Sequence, residues 1–230
     1  MNVLTKKQWM QKKRRKKYFK LILKTSLSML ILSVVIIMFS INFKDLTHSV
    51  LGLSRNTKII SGPEIIEMLL TPNEYSRPQT PLNNVSSVVI HYTANPGTRA
   101  EANRNYFESL RIKKNTSSSS HFVIGLKGEI IQCIPLDEIS YASNDRNYDT
   151  ISIECCHPDE SGEFNDETYK SLVALTAWIC CEYNLDKEDI IRHYDVSGKK
   201  CPLYYVEHED KWEDLKDDVM TYIDENAVIK

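Results

Sequence analysis

Negative charge is missing from one end of this chain. The first 43 residues contain no Asp or Glu, yet they hold ten of the 29 Lys and Arg, nine of these before Leu21. The rest of the chain is left with 19 basic against all 31 acidic residues, a formal charge of −12. That balance gives no reason to expect nucleic acid as a partner, because phosphate binding is carried largely by Lys and Arg. Internal repeats are absent and the only low-complexity tract is 117–120, so no second, repeat-built domain is expected. No H-E-x-x-H occurs, which excludes the helix-borne metal site of one large peptidase class. A small-x-small cleavage site is also missing after Phe43.

The last absence bears on what the N-terminus does contain. Residues 25–43 form an uncharged, mainly apolar run of 19 residues. As a helix rising about 1.5 Å per residue, such a run spans close to the ~30 Å hydrocarbon core of a bilayer. Lys12-Lys13-Arg14-Arg15-Lys16-Lys17 flanks it, and the positive-inside rule keeps that cluster cytoplasmic and sends everything after Phe43 outward. A cleaved signal peptide shares the pattern of charge followed by apolar core. Its core is shorter, about 7 to 15 residues, and an uncleaved anchor is the favoured reading. A basic nucleic-acid-binding arm is the third reading, and the hydrophobic span that follows at once speaks against it. The expected organisation is a basic cytoplasmic segment over 1–20, a transmembrane anchor over 21–43, a stalk and short helix over 44–70, and one domain over 71–226.

Periodicity outlines that domain. Ser61-Gly62-Pro63 is expected to open a short helix with Ile65, Ile66, Leu69 and Leu70 at helical spacing, followed by a proline-bearing extended loop over 71–84. The β-branched run 85–92 is the first strand, and 99–110 a helix with Ala102, Tyr106, Phe107 and Leu110 inward. Strands over 121–126 and 129–134 join as a hairpin at Lys127-Gly128, and 150–155 reads as a buried strand. Asn165 or Asp166 caps a helix over 166–183, whose Tyr169, Leu172, Val173, Thr176, Ile179 and Cys180 share one stripe. A short strand over 189–193 and an amphipathic helix over 211–223, with Trp212, Leu215, Val219 and Ile223 on one side, complete an α/β domain. The expected fold is a central mixed β-sheet flanked by helices.

Two distant segments carry the chemistry. Ile90-His91-Tyr92-Thr93 ends the first strand, and Arg192-His193-Tyr194-Asp195 runs through Lys199-Lys200 to Cys201-Pro202. Neutral imidazole and thiolate are the borderline-soft donors zinc prefers. Three protein ligands, His91, His193 and Cys201, leave the fourth tetrahedral position open, as in a catalytic site. Glu154, a carboxylate within the apolar strand Ile151-Ser152-Ile153-Glu154-Cys155, needs a reason for its burial, either catalysis or a structural ion pair. The chain has six cysteines, so with Cys201 on a metal five remain, an odd number, including the vicinal pairs Cys155-Cys156 and Cys180-Cys181. These are read mainly as small buried hydrophobes.

Four motifs in order, Ile90-His91-Tyr92-Thr93, Ser120-His121-Phe122-Val123-Ile124, Ile151-Ser152-Ile153-Glu154 and His193 through Pro202, resemble the zinc-dependent N-acetylmuramoyl-L-alanine amidases of type 2. The resemblance covers about 75–201 and implies a fold like that of phage lysozyme-type amidases and peptidoglycan recognition proteins. It implies a Zn2+ site at His91, His193 and Cys201, with Glu154 and Lys199 catalytic. It also implies peptidoglycan as substrate, cut between N-acetylmuramic acid and L-alanine at the outer face of the cytoplasmic membrane. Some members carry a catalytic tyrosine where this chain has Ser120, and members with serine there rely on the strand glutamate. Tyr75, Arg77, Asn95 and Tyr141 lie in loops expected to rim the substrate groove. His121 either lends a hydrogen bond near the site or merely starts a strand, and His48, His157 and His208 are read as surface residues. The competing function is a non-catalytic peptidoglycan receptor or scaffold on the same fold, a reading that the presence of Cys201 opposes.

Overall fold

The computed structural model describes residues 58–229. The basic segment, the apolar run and most of the expected stalk, with His48, lie outside the described residues. Among the described residues no helix is long and apolar enough to cross a membrane.

Two short strands near the ends of the described chain, β1 (Lys58–Ile59) and β8 (Val228–Ile229), pair antiparallel with each other. The main sheet has six strands: β2 (Ile66–Glu67), β3 (Ser87–Tyr92), β4 (Phe122–Ile124), β5 (Ile130–Gln132), β6 (Thr150–Cys155) and β7 (Ile190–Arg192). Their order is β2-β5-β4-β6-β3-β7. Only β4 and β5 run antiparallel, as the hairpin that Gly128 closes at φ +79°, and every other neighbouring pair is parallel. A parallel sheet must be covered on both faces, which explains why nearly every residue of β3, β4 and β6 is buried, the polar ones included.

The two faces have separate cores. Val88, Ile90, Phe122, Ile124, Ile151, Ile153 and Cys155 face helix α2 (Asp166–Tyr183), which in turn packs against α5 (Glu209–Asn226). Val123, Ile131, Cys133 and Cys156 face α1 (Ala100–Lys113) through its Ala100 and Phe107. Cys155 and Cys156 therefore divide between opposite faces, as adjacent strand residues must. All six cysteines are free thiols, five of them buried.

Three sequence expectations give way. The segment around Ile66 is an edge strand: β2 pairs with β5, and Met68 N and Leu70 N extend the ladder by donating to Gln132 O and Cys133 O at 3.0 and 2.8 Å. Its residues recur at helical spacing, but the open edge of β5 offers backbone partners that a single helical turn cannot match. On α1 the inward stripe is Ala100, Asn103, Phe107 and Leu110, while Ala102 and Tyr106 face solvent. His157 is buried against the Tyr92 ring, centroids 5.1 Å apart, and shares a 2.7 Å hydrogen bond with Asp159 O through Nδ1, whereas His208 is exposed.

Candidate metal and catalytic site

Register brings the site together. The parallel pairing sets His91 of β3 opposite Glu154 of β6, Glu154 opposite Val123 of β4, and Ile90 opposite Arg192 of β7. One residue on from Arg192, His193 completes a row across the carboxyl ends of the strands, where open α/β sheets place their ligands. Side chains alternate along a strand, so one register fixes His91 and Glu154 on the same face.

Beyond β7 the chain makes a tight return. His193 opens α3 (His193–Ser197), which ends at Gly198 in the left-handed region, φ +74°. Arg192 anchors this turn from below. Its backbone N–H donates to the Asp195 carboxylate at 2.8 Å, and its guanidinium donates to Asp195, to Tyr205 O and to Glu209 while lying over the Trp212 ring. Tyr194 N then donates to Cys201 O at 2.9 Å, folding Cys201 back onto the start of α3. Helix α4 (Leu203–Glu207) follows directly, and its Tyr205 is part of the core.

One donor atom from each of His91, His193 and Cys201 lies within 4.8 Å of the others, and all three residues are buried. His91 Nδ1 is 3.8 Å from Cys201 Sγ, and the two imidazole centroids are 4.7 Å apart. Burial, joined by the fields of His193 and Lys199, holds His91 well below its ordinary value, and burial with Lys199 lowers His193. Both shifts favour the neutral imidazole, the form that can donate a lone pair. Burial pushes the Cys201 thiol up to about 12, the Glu154 charge adding to the rise and the Tyr92 backbone and Lys199 opposing it. Among the described residues, both ring nitrogens of His193 and Oε2 of Glu154 are buried without a hydrogen-bond partner. An orphaned buried polar atom costs about 1–3 kcal/mol. A cation among them would offset that cost and ionise the thiol, so the donor set fits a zinc ion.

Burial pushes the Glu154 carboxyl up to about 8, with the Lys199 charge pulling it back. Lys199 and Lys200 differ in kind: Lys200 Nζ is engaged with Glu207 at 2.8 Å, while Lys199 is exposed and has no ion-pair partner among the described residues. Its charge is felt at His91, Glu154, His193 and Cys201 alike.

The other expected groups are not gathered here in the same way. Arg77 forms a two-pronged pair with Glu138, at 2.8 and 2.7 Å, and also donates to Leu70 O, which fastens the proline-bearing loop to the domain. Tyr75 is half-buried in that loop, its N–H donating to Asn73 Oδ1. Asn95 is exposed in the turn after β3, where its backbone oxygen accepts from Thr98 Oγ1. Tyr141 is half-buried against the core, its N–H donating to Ser119 Oγ. His121 is fully buried: Nδ1 accepts from Ser152 N at 3.0 Å and Nε2 donates to Glu138 O at 2.9 Å, which leaves no ring nitrogen for a ligand. Burial lowers its pKa to about 4. Sequence reasoning missed Ser143, whose Oγ lies 3.3 Å from His91 Nε2. No spacing rule reaches a serine 52 residues from its histidine.

Similarity to known proteins extends over the stretch that carries this site. N-acetylmuramoyl-L-alanine amidase BlyA of Bacillus subtilis (strain 168) is 31% identical over 179 residues, covering 69% of this chain and 47% of that protein. CwlL of Bacillus licheniformis, also named an N-acetylmuramoyl-L-alanine amidase, is 33% identical over 156 residues, covering 62% of this chain and 43% of that protein. This chain thus spans less than half the length of these curated relatives. Among solved structures, a mutant endolysin from Bacillus subtilis is 27% identical and superposes with a TM-score of 0.58, covering 68% of this chain and 98% of that one. The family described as N-acetylmuramoyl-L-alanine amidase matches residues 81–203, from the loop before β3 to the start of α4. With all four motifs and the donor set inside that stretch, this chain belongs to the N-acetylmuramoyl-L-alanine amidase family.

Proposed function

We propose that this protein is a zinc-dependent hydrolase of peptidoglycan that cuts the amide between the lactyl group of N-acetylmuramic acid and L-alanine of the stem peptide. The observation that carries the reading is the convergence of His91, His193 and Cys201 beside Glu154, inside the stretch shared with the family. His91, His193 and Cys201 would hold the ion, which when bound supplies a Lewis acid for the scissile carbonyl and lowers the pKa of water to about 7. Glu154 is the general base: its unpartnered Oε2 takes the proton of the attacking water and passes it to the leaving amine. The Lys199 ammonium offsets the negative charge that develops on the carbonyl oxygen.

The membrane position belongs to the same proposal and rests on the sequence. The 19-residue apolar run at 25–43 and its basic flank support an uncleaved single-pass anchor with the catalytic domain outside. An enzyme so tethered acts on the wall next to the membrane.

Mass spectrometry of purified peptidoglycan digested by the full-length chain, with and without a zinc chelator, tests the reaction. Free stem peptides beginning at L-alanine, and lost on chelation, are expected. An undigested wall that still captures the protein would replace this reading with a binding role.

A further inference from the structure

The geometry points to Ser143 as a positioning residue for the metal, fixing the ring orientation and tautomer in which His91 presents Nδ1. The inference rests on the metal reading of the site. His91 has one ring nitrogen on each side: Nδ1 faces Cys201 Sγ at 3.8 Å, and Nε2 faces Ser143 Oγ at 3.3 Å. If Nδ1 gives its lone pair to an ion, Nε2 carries the proton, and Ser143 Oγ is the acceptor in reach. A histidine ligand generally donates its second ring N–H to such an acceptor, and loss of the partner typically weakens metal binding about 10- to 100-fold.

Ser143 is built into a rigid loop rather than merely lying nearby. It is 1% exposed, and the Asn147 side chain closes the turn around it, Oδ1 accepting from Ala142 N at 3.1 Å and Ser143 N at 2.7 Å. Upstream, Ser140 Oγ shares a 2.7 Å hydrogen bond with Ser152 Oγ on β6, and Tyr141 N is held by Ser119 Oγ. Downstream, Arg146 pairs with Asp149 and reaches Ser86 and Ser87 at the start of β3. The loop is thereby tied to the strand that carries Glu154 and to the strand that carries His91. The fully buried His121 serves the same frame through its bonds to Ser152 and Glu138.

The test uses the full-length chain in mild detergent and reads zinc affinity by competition with a chromophoric chelator. Ser143→Ala is expected to bind zinc about 10- to 100-fold more weakly than the parent, while Ser143→Thr, which keeps the hydroxyl, stays near the parent value. Long-range 15N NMR of the zinc-loaded parent is expected to show His91 protonated at Nε2, a readout that does not depend on how well any variant folds. A proton on Nδ1, or equal zinc affinity in the parent and Ser143→Ala, would overturn the role of Ser143 alone. A parent that binds no zinc would overturn this inference and the metal reading together.

Discussion

At the residue scale the site depends on groups that burial has stripped of ordinary partners. Glu154→Gln keeps the shape but removes the proton acceptor, so kcat is expected to fall about 100- to 10,000-fold while zinc affinity is nearly unchanged. Comparable loss of zinc would instead assign Glu154 to the metal. Lys199→Ala should lower kcat and leave zinc bound, whereas Lys200→Ala, already neutralised by Glu207, should stay near the parent rate. Equal effects in steady-state kinetics would remove the distinction. His121 makes a separate prediction about pH. Its folded pKa of about 4 lies below the ordinary value near 6.5. The unfolded chain therefore binds a proton that the folded chain refuses. The stability this group contributes is complete above about pH 6.5 and is lost as pH falls toward 4, a change of roughly 3 kcal/mol at most. Urea midpoints across that range should fall less steeply for His121→Gln than for the parent.

At the element scale the caps and registers were legible to different degrees. Asn165 was readable as the start of α2, and its Oδ1 accepts from Thr168 N at 3.0 Å while its Nδ2 reaches Leu126 O beside the hairpin. Asn165→Ala should cost about 1 kcal/mol, or about 2–4 °C in Tm, measured by calorimetry. The stripes of α2 and α5 were equally plain, because each helix buries one side against a continuous core. Elements with fewer local signals were not. β2 is two residues long and exists because β5 had an edge to pair, and α3 and α4 are five-residue turns held by Arg192 and by the return to Cys201. On α1, Tyr106 fitted an apolar stripe by its chemistry but lies on the solvent side, while the polar Asn103 is inside, donating to Arg99 O and Thr98 Oγ1.

At the scale of the whole molecule, the three proposed ligands lie on β3, at the end of β7 and in the loop before α4, so a metal bound there would clamp segments more than a hundred residues apart. Anything that binds the folded state alone stabilises it, by about 4 kcal/mol at a thousandfold excess over Kd. Zinc should therefore raise the Tm of the metal-free protein, and Cys201→Ser should lose most of that rise along with turnover. A variant that kept the parent's zinc-dependent shift in differential scanning fluorimetry would place the metal elsewhere. For the tether, the full-length chain should stay with membranes through a carbonate wash, and deletion of 1–43 should release it.

The sequence alone determined the donor types, the α/β class, the places of the mixed sheet's main strands and the contrast between a basic start and an acidic remainder. These are local properties, set by composition, periodicity and the chemistry of single side chains. Only the tertiary structure decided that His91, Glu154 and His193 form one row, that Lys199 has no ion-pair partner among the described residues where Lys200 is paired, that His121 is a buried brace, and that Ser143 stands behind His91. Each of these depends on strand register or on side-chain contacts that packing fixes, some across 52 and 110 residues, as from His91 to Ser143 and to Cys201, and no local pattern encodes them.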